Sequence, residues 1–453
     1  MRRPARSSAA SLIVIGLAAA FIAGLLVFGG LSSRPAADTA AALTSAAPTA
    51  TAPEATTTVA PTTSPASQPP SLPPPDASAN PSIVPQPTPL TPTARNARLQ
   101  RYLDAFVKTE AVPGMSVTID FADGTSWTGV SGLADVATRR KVAAGTTFAV
   151  GSISKTFLAA LVLELADKGK LRLDDRVVRY LPDLRLDRRI TVRQLLDHTS
   201  GLFDYFLNTK IDAALRRAPT RTWTAKEALA YMRTAYFPPG RGWHYSNANY
   251  VVLGLLAEKV GGESLAAQYR ARFFNPLDLT ETFYQIDEPP RGELAHGYRF
   301  AEASKKSRPI DLADGTGVAP FTSVVSAAGG AGSIASTSAD IARWAKALYG
   351  GEVLSPASLA LMIGDVGRTA TYKPRIPYGL GVQAVPVNGL PTLGHSGRLL
   401  GFRGVVRYFP EQAVSIAIVS NQSRTDPARL LARLARIVIP TTPPTCAGCS
   451  ASP

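Results

Sequence analysis

A proline-rich stretch separates the beginning of this chain from everything that can form a packed core. Residues 35–95 hold 15 of the 37 prolines and only four charged side chains, among mostly Ala, Thr and Ser. Proline interrupts helices and sheet ladders, and small polar side chains bury little apolar surface. We therefore expect a disordered linker at residues 35–94, which would extend at most about 190 Å as polyproline helix, and a folded domain at residues 95–440.

An apolar segment precedes this linker. Three arginines lie within the first six residues, and residues 9–31 then form an uncharged run of 23 residues. As a helix this run measures about 35 Å, enough to cross a hydrocarbon core of about 30 Å. The positive charges before it predict a cytoplasmic amino terminus and an external domain. The length favours a retained single-pass anchor within residues 1–34, whereas small residues near position 40 would allow signal cleavage and secretion.

The charge balance indicates the kind of partner. The formal net charge is +15, and a strongly basic surface favours anionic partners such as nucleic acid, membranes or wall polymers. Because the domain is expected outside the cytoplasm, we exclude nucleic acid and favour peptidoglycan or another anionic wall polymer. Cys446 and Cys449 are the only cysteines, in a predicted flexible tail at residues 441–453, and their redox state stays open.

The first candidate for chemistry is the pair Ser152 and Lys155. Three residues apart at the start of a predicted helix (residues 153–168), they lie on one face, so the amine can reach the hydroxyl. The helix amino terminus also adds positive potential for a developing oxyanion. Alone the pattern is weak, since random placement of the 12 lysines would give about one such pair. An unrelated surface pair explains it equally well.

Two rarer patterns follow in order. Tyr245 and Asn247 form Y-x-N, and His395-Ser396-Gly397 forms H-x-G. With the Ser/Lys pair, this ordered set is expected by chance on the order of once in a hundred sequences. Each pattern also has a purely structural explanation. Tyr245 and Asn247 could form a turn before the predicted helix at residues 250–260, and His395-Ser396-Gly397 could be the start of a strand. The ordered set is specific, although each of its three patterns alone is not.

Further segments extend the pattern: TVRQLLDHTSGL at 191–202, GGAGSIASTSADIARWAKAL at 329–348 and GHSGRLLGF at 394–402. With them, residues 95–439 resemble the serine β-lactamase and penicillin-binding protein superfamily, in particular its branch of class C β-lactamases, D-alanyl-D-alanine carboxypeptidases and esterases. The resemblance implies an α+β (α/β) fold, with an antiparallel sheet flanked by helices and an all-helical subdomain. Periodicity agrees: β-rich runs lie at both ends of the domain, and helical spacing recurs between them, including residues 225–234 and 339–348.

The resemblance also implies roles. Ser152 would be the nucleophile of an acyl-enzyme, and Lys155, with a lowered pKa, would share its proton. Tyr245 would act as the base or as a proton relay to the leaving group. Asn247 would hold Lys155 and the substrate amide.

The third pattern would line the substrate. The backbone N–H groups of Ser152 and Arg398 would form the oxyanion hole. His395 and Ser396, followed by Gly397, would line the substrate strand and help to bind or protonate the substrate. Of the other histidines, we expect His198 to be structural, while His244 stays ambiguous.

His395 bears on the substrate. Class C β-lactamases typically have lysine there, whereas histidine is largely neutral near pH 7, which disfavours an efficient β-lactamase. The histidine form resembles D,D-peptidases and esterases. We expect Arg398 or Arg403 to supply the missing positive charge to a substrate carboxylate; the alternative is that both point to solvent.

The sequence thus predicts an extracytoplasmic serine hydrolase that acts on an ester or amide bond of a small molecule or peptide, without metal or cofactor. Carboxypeptidase, peptidase and esterase activities stay open. The alternatives are a β-lactamase, or a noncatalytic envelope-binding protein of the same fold. A metal hydrolase is disfavoured because the four histidines are widely spaced, and an α/β-hydrolase because G-x-S-x-G does not occur.

Overall fold

The computed structural model describes residues 90–302, 304–371 and 377–439. The predicted anchor, linker and tail, and with them Cys446 and Cys449, lie outside these ranges. Within these ranges no helix combines the length and apolar character needed to cross a bilayer.

The described residues contain twelve strands: β1 (Gly114–Asp120), β2 (Ser126–Asp135), β3 (Arg140–Lys141), β4 (Thr146–Ala149), β5 (Phe283–Tyr284), β6 (Glu293–Leu294), β7 (Tyr298–Phe300), β8 (Pro309–Asp311), β9 (Ile334–Ser336), β10 (Leu393–Leu399), β11 (Phe402–Phe409) and β12 (Val414–Ser420). The α-helices are α1 (Pro92–Glu110), α2 (Ser154–Asp167), α3 (Val192–Leu196), α4 (Thr209–Arg217), α5 (Ala225–Leu229), α6 (Asn247–Gly261), α7 (Leu265–Tyr269), α8 (Thr322–Ala328), α9 (Ser338–Gly350), α10 (Pro356–Thr369) and α11 (Ala428–Val438).

The principal sheet joins the two ends of the domain. Its strand order is β10-β11-β12-β1-β2-β3. β1 and β12 are antiparallel neighbours with Met115 opposite Ser420. Such long-range antiparallel pairing confirms the sheet predicted from β-rich runs at both ends. β10 is an edge strand of this sheet, and one side of its backbone is therefore available for other contacts.

Two helical layers cover the sheet, and the alternation of side chains along each strand determines which layer a residue meets. In β12, Ile416 and Ile418 pack with α1 and α11, whereas Ala417 and Val419 belong to the larger core on the opposite face. That larger core surrounds α2, which is buried from Ser154 to Leu163. A helix apolar on every side belongs in the interior, and α2 lies there, between the sheet and the helical subdomain.

The helical subdomain follows α2 in the chain and includes α3 to α7. Thr191 and Thr224 form capping boxes at the starts of α3 and α5, each satisfying free N–H groups of a first turn. Helix α5 ends at Leu229, five residues before the predicted end. After Leu229 the N–H groups of Tyr231 and Met232 donate three residues back instead of four, to Ala228 and Leu229. The Tyr231 carbonyl accepts from the Asn208 side chain at 2.8 Å.

The edge strand β10 passes close to the start of α2, which places the first and third sequence patterns side by side. A Cβ atom on Gly397 would lie 1.9 Å from the carbonyl oxygen of Val150, and one on Gly151 would lie 2.8–2.9 Å from the backbone of Arg398. Only hydrogen fits at such separations. The two glycines therefore let two backbones meet where the candidate nucleophile begins its helix.

This close approach leads to a prediction. Gly397→Ala is expected to push β10 away from residue 150, lowering the melting temperature by a few degrees, since overpacking costs about 1–3 kcal/mol, and lowering activity as well. Thermal unfolding and hydrolysis rates measure the two effects. Gly364→Ala is the control, because its added methyl meets no atom within 4 Å; equal melting temperatures for both variants would contradict the packing argument.

Candidate active site

The neighbours Ser152 and Lys155 meet Tyr245, which is distant in the sequence, at the amino end of α2. Ser152 lies in the 3-10 turn Gly151–Ile153 that leads into the helix, and Lys155 lies in its first turn. The Lys155 Nζ atom is 3.0 Å from Ser152 Oγ. The Tyr245 hydroxyl donates to the same Oγ at 2.8 Å. The predicted meeting of hydroxyl, amine and phenol is therefore present.

Lys155 is placed to take a proton from the serine. Its side chain is fully buried, and Nζ also donates to Asn247 Oδ1 at 2.9 Å and to the carbonyl of Ala331 at 2.7 Å. These two oxygens can only accept, so a neutral amine keeps its two N–H bonds on them and directs its lone pair at Ser152. Burial lowers the pKa of Lys155 to about 7, which makes the neutral form available near neutral pH.

Tyr245 stays protonated. Burial raises the pKa of its phenol far above the usual value because the phenolate would lose its hydration. Lys155 Nζ lies 4.9 Å from the centre of the Tyr245 ring. Of the two roles considered for Tyr245, this environment favours the proton relay over the base.

Asn247 connects the lysine to a carboxylate that the sequence patterns did not reveal. It is the first residue of α6. Its Oδ1 atom accepts from Lys155, and its Nδ2 atom donates to Asp204 Oδ2 at 2.9 Å. Burial raises the pKa of Asp204 to about 6, against the opposing effect of its hydrogen bonds and of the charge of Lys155. The amide therefore lies between a buried amine and a buried acid.

His395 lies on the edge strand β10, and its ring makes two polar contacts inside the protein. It is buried, its Nδ1 atom lies 2.6 Å from the carbonyl of Ser396, and its Nε2 atom lies 3.0 Å from the Tyr378 hydroxyl. A carbonyl can only accept, so Nδ1 carries the proton. Burial, with the charge of Lys155, lowers the pKa of His395 to about 3. Both ring nitrogens are therefore engaged within the protein, and contact of His395 with the substrate stays a prediction.

The outer edge of β10 is partly occupied. Gly394 exchanges two backbone hydrogen bonds with Gln383, and the Ser396 N–H donates to the Gln383 side chain at 3.0 Å. Alternate residues of a strand direct their N–H groups to the same side. The Arg398 N–H therefore also points off this edge, beside Gly151 and Ser152. This placement supports the predicted oxyanion hole.

The two arginines of the third pattern differ in their surroundings. Arg398 and Arg403 are directly opposed across β10 and β11, on the sheet face away from the His395 ring. Arg403 forms an ion pair with Asp426 at 2.8 Å. No carboxylate within the described ranges lies within 4.0 Å of the Arg398 guanidinium, and burial, reinforced by Arg403, lowers its pKa to about 10. Of the two arginines, only Arg403 has an ion-pair partner among the described residues.

Two of the other three histidines, His198 and His244, lie beside Tyr245. His198 is fully buried, and its Nδ1 atom accepts from Asn249 Nδ2 at 2.9 Å and from the Ser246 N–H at 3.2 Å. Its ring lies 4.3 Å from that of Tyr245. This matches the expected structural role. His244 stacks on Tyr236 at 3.7 Å between ring centres. It is the residue before Tyr245 in the chain, and none of its described contacts involves Ser152.

Comparison with known proteins agrees with this geometry. A sequence model of the Beta-lactamase family matches residues 99–439. The chain is 30% identical over 342 residues to penicillin-binding protein 4 of Amycolatopsis lactamdurans, across 72% of this chain and 85% of that protein. It is 28% identical to penicillin-binding protein 4* of Bacillus subtilis, across 68% of each. The structure of a D-stereospecific amidohydrolase from Streptomyces sp. superposes with a TM-score of 0.65 at 28% identity, covering 77% of this chain and 99% of that one.

The predicted resemblance and fold are thereby confirmed, because the family match spans the sheet, the helical subdomain and all three sequence patterns. The chain belongs to the Beta-lactamase family, within the superfamily of serine β-lactamases and penicillin-binding proteins, and it is a serine hydrolase.

Proposed function

We propose that this protein hydrolyses amide bonds beside D-amino acid residues in small amides or peptides, outside the cytoplasm and through an acyl-enzyme on Ser152. The observation that carries the proposal is the contact of Ser152 Oγ with both Lys155 Nζ (3.0 Å) and the Tyr245 hydroxyl (2.8 Å). The stereochemical part is supported by the likeness to a D-stereospecific amidohydrolase. The external location rests on the apolar segment at residues 9–31, outside the described residues.

Acylation follows from the protonation states. Neutral Lys155 takes the proton of Ser152 as Oγ bonds to the substrate carbonyl carbon. The N–H groups of Ser152 and Arg398 would donate to the oxyanion. Tyr245 passes a proton to the departing nitrogen and is reprotonated by Lys155, so the C–N bond breaks and a neutral amine leaves. In deacylation, water attacks the ester carbonyl of the acyl-enzyme. The water proton passes through the same groups to Ser152 Oγ, and a carboxylic acid is released.

A carboxypeptidase that recognises a terminal carboxylate is the second candidate. The observation that favours it is the Arg398 guanidinium, which lies on the substrate strand without an ion-pair partner among the described residues. Neutral His395 cannot supply that charge, which also argues against efficient β-lactam hydrolysis. An Arg398→Ala variant that keeps its preference for a carboxylate over the matching carboxamide would remove this candidate.

A substrate panel tests the proposal. The compounds are D- and L-phenylalanine p-nitroanilide, an acylated D-Ala-D-Ala peptide, p-nitrophenyl acetate and nitrocefin. We expect the D-anilide to exceed its L-isomer in kcat/KM by at least about tenfold, a difference of about 1.4 kcal/mol in transition-state binding. Fastest turnover of the D-Ala-D-Ala peptide would establish the carboxypeptidase instead. Equal rates on both anilides, or nitrocefin as the best substrate, would contradict the proposal.

A further inference from the structure

Asp204 is a buried carboxylate that the mechanism above does not use. It is 2% exposed, and its Oδ1 atom caps the 3-10 turn Tyr205–Leu207 by accepting from the Phe206 N–H. Its Oδ2 atom accepts from Asn247. A capping role needs only one oxygen and is commonly filled by a neutral side chain. The capping role therefore does not account for the second carboxylate oxygen.

The Asn247 amide connects this carboxylate to the catalytic amine. Its Oδ1 atom is 2.9 Å from Lys155 Nζ, and its Nδ2 atom is 2.9 Å from Asp204 Oδ2. An amide oriented in this way has its negative end on the cation and its positive end on the anion, so it favours the state in which both groups are charged. Rotation of the amide by 180° would lose both contacts.

Among the described residues, Asp204 is the one carboxylate whose charge acts on Lys155. Attraction to Asp204 is the effect that opposes burial and raises the pKa of Lys155. Burial lowers the pKa values of the surrounding histidines and raises those of the tyrosines, so all of them are neutral near pH 7. Among the described residues, the titratable groups that contact Lys155 or Asp204, or that feel their charge, include His198, Tyr205, Tyr236, Tyr245, Tyr250 and His395.

We propose that Asp204 is a positioning residue which, through Asn247, sets the pH at which Lys155 becomes able to accept the serine proton. This inference rests on the proposed function, in which neutral Lys155 is the base. While Asp204 is charged, it holds the proton on the amine, so activity begins only at higher pH. Without that charge, the amine is neutral at lower pH and the acidic limb of the activity profile moves down.

Asp204→Asn tests the proposal, because it removes the charge at nearly constant side-chain size. Its one amide oxygen can accept from either the Phe206 N–H or Asn247 Nδ2, and its NH2 group takes the place of the other carboxylate oxygen. The readout is the rate at which a fluorophosphonate labels Ser152 of the full chain between pH 5 and 9, which requires no knowledge of the natural substrate. We expect the acidic limb to move by about one pH unit toward acid, the usual size for the loss of a nearby opposite charge. Asp204→Glu, which retains the charge, should move the limb back toward the wild-type position.

Asp340→Asn is the matched control, since Asp340 is another buried acid that accepts from a hydroxyl and a backbone N–H, in α9. The acidic limb of the Asp340→Asn labelling profile should stay at the wild-type position. A folded Asp204→Asn protein with the wild-type limb would overturn the proposal, as would failure of both Asp204→Asn and Asp204→Ser to accumulate folded protein while Asp340→Asn does. Absence of labelling at every pH in the wild type would instead refute the proposed function itself.

Discussion

Ser152→Ala is expected to lower kcat/KM by at least about 10³-fold on any substrate that the wild type hydrolyses, because the acyl-enzyme can no longer form. The loss would appear mainly in kcat, since the neighbouring side chains that hold the substrate stay in place. Steady-state hydrolysis of the best compound of the panel measures it. Residual activity would come from the oxyanion donors and from positioning alone.

The substitution leaves the fold intact, which makes the result interpretable. Ser152 is 8% exposed, and loss of one hydroxyl removes no apolar packing. Ser154→Ala is the control, because Ser154 is a buried serine in the same turn of helix whose Oγ accepts from the Ile334 N–H at 3.1 Å. We expect Ser154→Ala to lose stability and to retain the chemistry. An active Ser152→Ala enzyme would mean that another group is the nucleophile.

Lys155→Met is expected to lower the acylation rate by about 10²- to 10⁴-fold, the usual contribution of a general base. Methionine has nearly the length of lysine but cannot accept a proton. In the wild type the rate should rise with pH through about 7, the pKa that burial gives Lys155, since the neutral amine is the active form. In Lys155→Met this rise of the rate with pH should disappear.

Lys168→Met is the control for Lys155→Met, because Lys168 immediately follows the same helix and its side chain is 51% exposed. We expect it to leave both rate and pH profile unchanged. Circular dichroism and melting temperature separate lost chemistry from lost folding, since the buried acceptors Asn247 Oδ1 and the Ala331 carbonyl lose their donor in Lys155→Met. A folded Lys155→Met protein with the wild-type pH limb would show that a different group is the base.

The sheet and the central helices were predictable because their signals are local. Strand runs at both ends of the domain and continuous apolar residues in α2 needed no tertiary information. The end of α5 was not predictable, because the helical spacing of apolar residues continues to residue 234, whereas the hydrogen-bonding pattern changes after Leu229. There the Tyr231 carbonyl is bonded by Asn208, which lies 23 residues earlier in the chain. Local periodicity carries no information about such a contact.

The candidate site was also predictable from the sequence only in part. Ser152 and Lys155 are neighbours on one helical turn, so their contact follows from spacing. The position of the His395 ring follows from strand alternation and from its contact with Tyr378, which residue type alone did not reveal. Asp204, Tyr378 and Gln383 belong to no pattern, since each reaches the site through a long-range side-chain contact.

One measurement tests the central claim most directly: peptide mapping of the full chain after incubation with a fluorophosphonate or fluorescent penicillin. The account predicts one labelled side chain, Ser152, with labelling slowed in Lys155→Met and in Tyr245→Phe and unchanged in Lys168→Met. Label on another residue, or substrate turnover by a protein whose Ser152 never becomes modified, would contradict the assignment of the nucleophile and with it the proposed mechanism.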